Sequence, residues 1–160
     1  MHDSFSMESF LPYRLIRATE RLDTVFMQYC GPEDELSWSE WQVLWSLGEA
    51  VTTTAKAICG QSGLSKTKIS RAVKVLDERG YLERKRDAHD RRFELLSLTP
   101  AGSVRFAAFR QRASEFQHRL EAIVDMPYLS ALDTGLGGLE DLMAAGHFRQ
   151  ISAMAEGSLA

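Results

Sequence analysis

Apolar residues recur at three- and four-residue steps over most of the chain, and in one central stretch the period drops to two. Leu11, Leu15, Ala18, Leu22, Val25 and Tyr29 mark a first helix from about Met7 to Cys30, which Gly31-Pro32 terminates. Trp41 and Trp45 lie four apart on one face of a second helix, where a packed core explains them better than a ligand box. Ile58 and Cys59 fall on a short helix, Gly63-Leu64-Ser65 makes a turn, and Lys66 to Leu76 forms the next helix. In that helix Ile69, Ala72, Val73 and Leu76, with Leu64 of the turn, face inward at helical spacing, and Lys66, Lys68, Ser70, Arg71 and Lys74 face solvent. Gly63 suits a tight inter-helix turn, Ser65 caps the helix behind it, and Gly80 after Arg79 is the expected C-cap.

The period of two follows. Tyr81 to Arg86 and Phe93 to Leu98 read as short strands joined by Asp87-Ala88-His89-Asp90-Arg91-Arg92. After Pro100 the helical period returns through Phe106, Phe109, Ala113, Phe116, Leu120 and Ile123, and again after Pro127 through Leu129, Leu132, Leu136, Leu139 and Met143. A short helix, a Gly turn, a cationic helix and a basic hairpin, in that order, describe a winged helix-turn-helix, so the residues point to DNA binding. The expected class is mainly α with a small β-wing (α+β). A winged lobe over 36–99 would be flanked by N- and C-terminal dimerisation helices over 7–30 and 100–146, in a single domain of 160 residues.

Charge sharpens this picture. The net charge of −3 argues weakly against a nucleic-acid binder, but residues 61–92 hold ten Lys/Arg against five Asp/Glu, while 1–60 carry a net −5 and 93–160 a net −3. Positive charge confined to the helix-turn-helix and wing is the footprint expected when one face meets phosphates. Thr67, Lys68, Ser70 and Arg71 are expected to reach base edges, with Ser65, Lys66, Lys74, Arg84 and Arg86 adding polar and cationic contacts and Arg91 or Arg92 entering the minor groove. No apolar run approaches a membrane span, and the N-terminus lacks a basic and then apolar leader, so a cytoplasmic location is expected. Long apolar helices at both ends of a small DNA-binding core suit a homodimer that reads two half-sites.

Leu36-Ser37-Trp38-Ser39-Glu40-Trp41-Gln42-Val43-Leu44, then Gly63 to Leu76, then Asp87, Asp90, Arg91 and Arg92, then Leu98-Thr99-Pro100-Ala101-Gly102 resemble the MarR family of bacterial transcriptional regulators in order and spacing. The resemblance covers nearly the whole chain, and the wing carries its most distinctive part. One departure is Ala88-His89, where many members have a Pro. The resemblance implies a homodimer of triangular outline, recognition helices in successive major grooves, and repression relieved by a small ligand.

Candidate chemistry beyond DNA is sparse. In Leu11-Pro12-Tyr13-Arg14-Leu15-Ile16-Arg17, Arg14 and Arg17 are neighbours on one helix face with Tyr13 beside them. Two cations and a phenol can hold a carboxylate or phosphate, and this segment resembles members that respond to aromatic acids or their coenzyme A thioesters, with Trp38 as a further candidate ligand residue; the bland alternative is two surface arginines paired with Glu20 or acids of another helix. Cys59 is expected at a small buried position, and Cys30 stands at the end of the first helix, whereas peroxide-sensing relatives carry their cysteine nearer its start. His2, His89, His118 and His147 are too scattered for a metal site, so neither metal nor cofactor is expected. Gly60-Gln61-Ser62-Gly63 is no nucleophile elbow and Gly135-Leu136-Gly137-Gly138 no dinucleotide fingerprint, so catalysis has no candidate. The alternatives are a DNA-binding regulator without a ligand, or one sensing oxidation through Cys30.

Overall fold

The computed structural model describes residues 5–31, 36–86 and 94–148. Its elements are α1 (Leu11–Cys30), α2 (Trp38–Glu49), α3 (Ala55–Ser62), α4 (Lys66–Glu78), β1 (Leu82–Arg86), β2 (Glu94–Leu98), α5 (Pro100–Ile123) and α6 (Met126–Ala144). Helix α1 begins four residues later than its apolar pattern suggests. Pro12 has no N–H to give, and a start at Leu11 leaves it in the first turn, where that donor has no intrahelical partner. The chain forms two compact units, Met1–Phe116 and Gln117–Ala160.

Local chemistry sets the element ends in the first unit. Ser37 opens α2 with a capping box: its hydroxyl accepts from the Glu40 N–H at 3.4 Å, and the Glu40 carboxylate accepts from the Ser37 N–H at 2.7 Å. Thr54 and Ser65 cap α3 and α4 by accepting from the N–H groups of Ala57 and Lys68. Gly63 turns between those helices at φ +67°, the left-handed conformation its missing Cβ permits.

At the far end of α4, the Gly80 N–H donates to the Asp77 carbonyl and the Tyr81 N–H to the Leu76 carbonyl, both at 2.8 Å. This pairing satisfies the last carbonyls and hands the chain to β1. The two strands run antiparallel with Leu82 opposite Leu98, Arg84 opposite Leu96 and Arg86 opposite Glu94. A single bridge from Thr53 to Leu96 adds a third, minimal edge.

The core lies beneath these elements. Leu36, Val43, Leu44, Leu47, Ile58, Ile69, Leu76 and Leu96 are fully buried, and Trp41 stacks on Phe109 of α5 at 3.8 Å and 9°. Trp45 meets Phe106 and Phe109 edge-on, so this tryptophan pair does serve the core. Phe26 joins α1 to it by edge contacts with Phe109 and Phe116. Cys59 is half-buried, not fully buried as its position suggested. Its thiol donates to the Leu64 carbonyl at 2.9 Å, which draws it to the margin of the turn. In the second unit, the last turns of α5 and helix α6 flank a groove of about 530 Å³ lined by Leu120, Met126, Leu129, Leu132 and Leu136. No helix among the described residues is long and apolar enough to cross a membrane.

Candidate nucleic-acid interface

Helix α4 divides cleanly. Ile69, Ala72, Val73 and Leu76 are buried against α2 and α3, and Ser65, Lys66, Thr67, Lys68, Ser70, Arg71 and Lys74 are all exposed. The apolar stripe thus fixes the rotation of the helix about its own axis, which determines the polar residues shown to solvent. Among the described residues, Lys66, Lys68 and Arg71 form no ion pair. Lys74 reaches Glu78 one turn on at 3.6 Å, an exposed pair worth little in water. The result is a strip of uncommitted cations and hydroxyls along one helix, the donor set that phosphates and base edges accept.

Beside this strip, α3, α4 and the hairpin bound a groove of about 420 Å³, with Lys56, Lys66, Ser70, Arg84 and Glu94 at its rim and Ile69, Val73 and Leu96 at its floor. The strand cations differ in their commitments. Arg84 pairs with Asp77 at 2.8 Å and with Glu94 at 3.2 Å, so its charge is already met within the protein. Lys85 pairs with Glu83 at 2.7 Å, and Arg86 is exposed at the end of β1. Hydrogen bonds from Lys85 and Ser97, with the Lys85 charge, hold the Glu83 carboxyl below its ordinary range. Arg91 and Arg92 lie outside the described residues, as do Asp87, His89 and Asp90 of the expected loop.

The junction behind the wing went unread in the sequence. Thr99 donates its hydroxyl to the Gly80 carbonyl at 2.7 Å and its N–H to the Tyr81 carbonyl at 3.1 Å, and that hydroxyl accepts from the Gly102 N–H at 3.0 Å. One side chain therefore ties the exit of α4 to the first turn of α5. A Cβ on Gly102 would fall 1.8 Å from the Tyr81 oxygen, so the glycine of Leu98-Thr99-Pro100-Ala101-Gly102 is there for close approach. The signal was present in Thr99-Pro100, an N-cap followed by a first-turn proline.

The candidate ligand residues divide into two places. Tyr13 is half-buried, Arg14 and Arg17 are exposed, and the Arg17 guanidinium is 5.5 Å from the Tyr13 ring centre. Nearby, hydrogen bonds from its own backbone and from Ser6, then the charge of Arg17, hold the Glu8 carboxyl below the usual range. Trp38 packs edge-on against Phe26, thirteen residues beyond Tyr13 and hence about 20 Å along the helix. Trp38 is thus apart from the other three.

Cys30 is buried, and burial pushes its thiol up against the opposing charges of Arg112 and Arg105. A raised thiol is a poor thiolate and a poor oxidation sensor. Among the described residues, no group of three or more His, Cys, Asp or Glu could hold a metal ion.

Residues 35–92 match the model of the MarR family. Among solved structures, the chain is similar to a "probable transcriptional regulator" from Pseudomonas aeruginosa, at 25% identity and a TM-score of 0.74 over 84% of this chain and 99% of that one. It is similar to the transcriptional repressor CouR bound to a 23-mer DNA duplex, at 24% identity and a TM-score of 0.74, over 86% and 99% of the two chains. A third is BpsR of Bordetella bronchiseptica, whose DNA binding is regulated by 6-hydroxynicotinic acid, at 20% identity and a TM-score of 0.76 over 86% and 97%. No curated protein sequence matches the chain. MarR-family proteins are transcriptional regulators and not enzymes. Over residues 35–92 the chain thus matches the MarR family, and its helix-turn-helix, its hairpin and the helices around them have the fold of winged helix-turn-helix transcriptional regulators.

Proposed function

We propose that the protein is a homodimeric repressor, with α4 of each protomer in the major groove of one half of a pseudo-palindromic operator, released by a small anionic aromatic acid or its acyl-CoA thioester. The observation that carries the DNA reading is the exposed strip of α4, with Lys66, Lys68 and Arg71 unpaired among the described residues above a buried apolar face. Thr67, Lys68, Ser70 and Arg71 meet base edges, Lys66, Lys74 and Arg86 meet phosphates, and, on sequence grounds alone, Arg91 or Arg92 enters the minor groove. Leu11, Ile16, Leu22 and Val25 on α1, and Leu132, Leu136 and Met143 on α6, are all exposed. A second copy would cover such apolar residues, which supports the dimer.

The effector reading has a narrower base. Arg14 and Arg17 beside Tyr13 offer two cations and an aromatic face, and BpsR, of the same fold, is regulated by an aromatic acid. Wedging near α1 would change the separation of the paired recognition helices, which must match about 34–36 Å, one turn of B-DNA.

Titration against a duplex enriched from a random pool by the wild-type protein tests the reading. Arg71→Ala should cost about 1–3 kcal/mol and relax specificity at one position per half-site, and Lys74→Ala should weaken all sequences and lower the salt slope by about one unit. Wild-type affinity in both variants removes the assignment. Aromatic acids and their thioesters added to the complex then identify the effector, and release that survives Arg14→Ala and Arg17→Ala puts its pocket elsewhere.

A further inference from the structure

Arg84 joins three elements. Its Nε donates to Asp77 Oδ2 in the last turn of α4 at 2.8 Å, and its Nη1 donates to Glu94 Oε2 at the start of β2 at 3.2 Å. The register pairs Arg84 with Leu96 and Arg86 with Glu94, so the Glu94 bond is a diagonal across the hairpin. Leu82 and Leu96, on the same face as Arg84, are buried. The strand pair therefore has an apolar anchor at its base and an ionic one a step further out.

Two strands alone are marginal in water, and beyond Leu82 and Leu96 the apolar anchor ends. A guanidinium is flat, with its donors in a rigid fork, so holding carboxylates from two elements fixes both its plane and the angle between those elements. A lysine offers a single point of attachment and cannot do both. Counting formal charges, Asp77, Arg84 and Glu94 together carry −1, so the group has no positive charge left for a phosphate.

We propose that Arg84 is a positioning residue: clamped by Asp77 and Glu94, it fixes the direction of the wing relative to the recognition helix and does not itself bind DNA. This rests on the reading that α4 and the hairpin meet the duplex together. Simple charge counting and the brace then predict opposite signs for the same substitutions. Removing a carboxylate beside a polyanion should tighten binding if only charge matters. If the brace holds the wing, the same change weakens it.

The test uses wild type, Asp77→Asn, Glu94→Gln and Arg84→Lys, titrated over several salt concentrations with a duplex enriched from a random pool by the wild-type protein. Hydrogen exchange of the Leu82–Arg86 and Glu94–Leu98 amides in the free, folded proteins runs alongside. The brace predicts about three- to tenfold weaker binding in all three variants, an unchanged salt slope and faster strand exchange. Tighter or unchanged binding in Asp77→Asn and Glu94→Gln overturns it, as does an Arg84→Lys variant that binds like wild type. If wild type itself shows no salt-dependent DNA binding, the interface reading fails, and exchange still decides the brace: strand amides as slow as in wild type refute it.

Discussion

Replacing Gly102 by Ala should be among the most disruptive single-methyl changes in the molecule. The added Cβ would fall 1.8 Å from the Tyr81 carbonyl oxygen and 2.8 Å from its carbon. Carbon and carbonyl oxygen rest at about 3.3 Å, so α5 and the exit of α4 must separate by about 1.5 Å. Overpacking of that kind costs about 1–3 kcal/mol. The same displacement breaks the Thr99 bonds to the carbonyls of Gly80 and Tyr81, at 2.7 and 3.1 Å, for about 1 kcal/mol each. A loss of about 3–5 kcal/mol follows, and with it a melting temperature lower by about 6–20 °C for a chain of this size. Urea unfolding of the purified protein measures it, with Gly60→Ala as control. Nothing lies within 4 Å of a Cβ there, and an exposed helical Gly→Ala should raise stability by about 0.5–1 kcal/mol. A loss under about 1 kcal/mol for Gly102→Ala would refute the close-approach argument.

Two further outcomes concern titrating groups. Hydrogen bonds from Lys85 and Ser97, and the Lys85 charge, hold the Glu83 carboxyl below its ordinary value near 4.5. Its folded value being the lower one, the stabilisation is present above the unfolded value and disappears as pH falls through the folded value. Glu83→Gln should therefore flatten the acid limb of the stability curve below about pH 4.5, and urea midpoints that fall identically with pH in both proteins contradict it. For the thiols, burial raises Cys30 while Cys59 is half-buried, so a maleimide should label native Cys59 well before Cys30. Labelling of Cys30 at the rate seen after unfolding sinks that account.

The recognition helix was legible because its information is local. Ile69, Ala72, Val73 and Leu76 repeat at helical spacing, Ser65 caps the start, and Gly63 and Gly80 supply the two left-handed turns; each feature depends on residues within about one turn of itself. The strands and the helices after Pro100 were legible for the same reason, as periods of two and 3.6. Tertiary structure alone decided which cations are free. Arg84 and Arg71 read alike in sequence, but the hairpin register and the angle at Gly80 bring Asp77 and Glu94 to Arg84, leaving Arg71 without an ion-pair partner among the described residues. It also moved Trp38 away from Tyr13 to Phe26, drew Cys59 to the edge of its turn, and pressed Gly102 against Tyr81, twenty-one residues earlier. Periodicity reports which face of an element is buried; which atoms touch depends on how elements cross, and that is set by packing between residues distant in the chain.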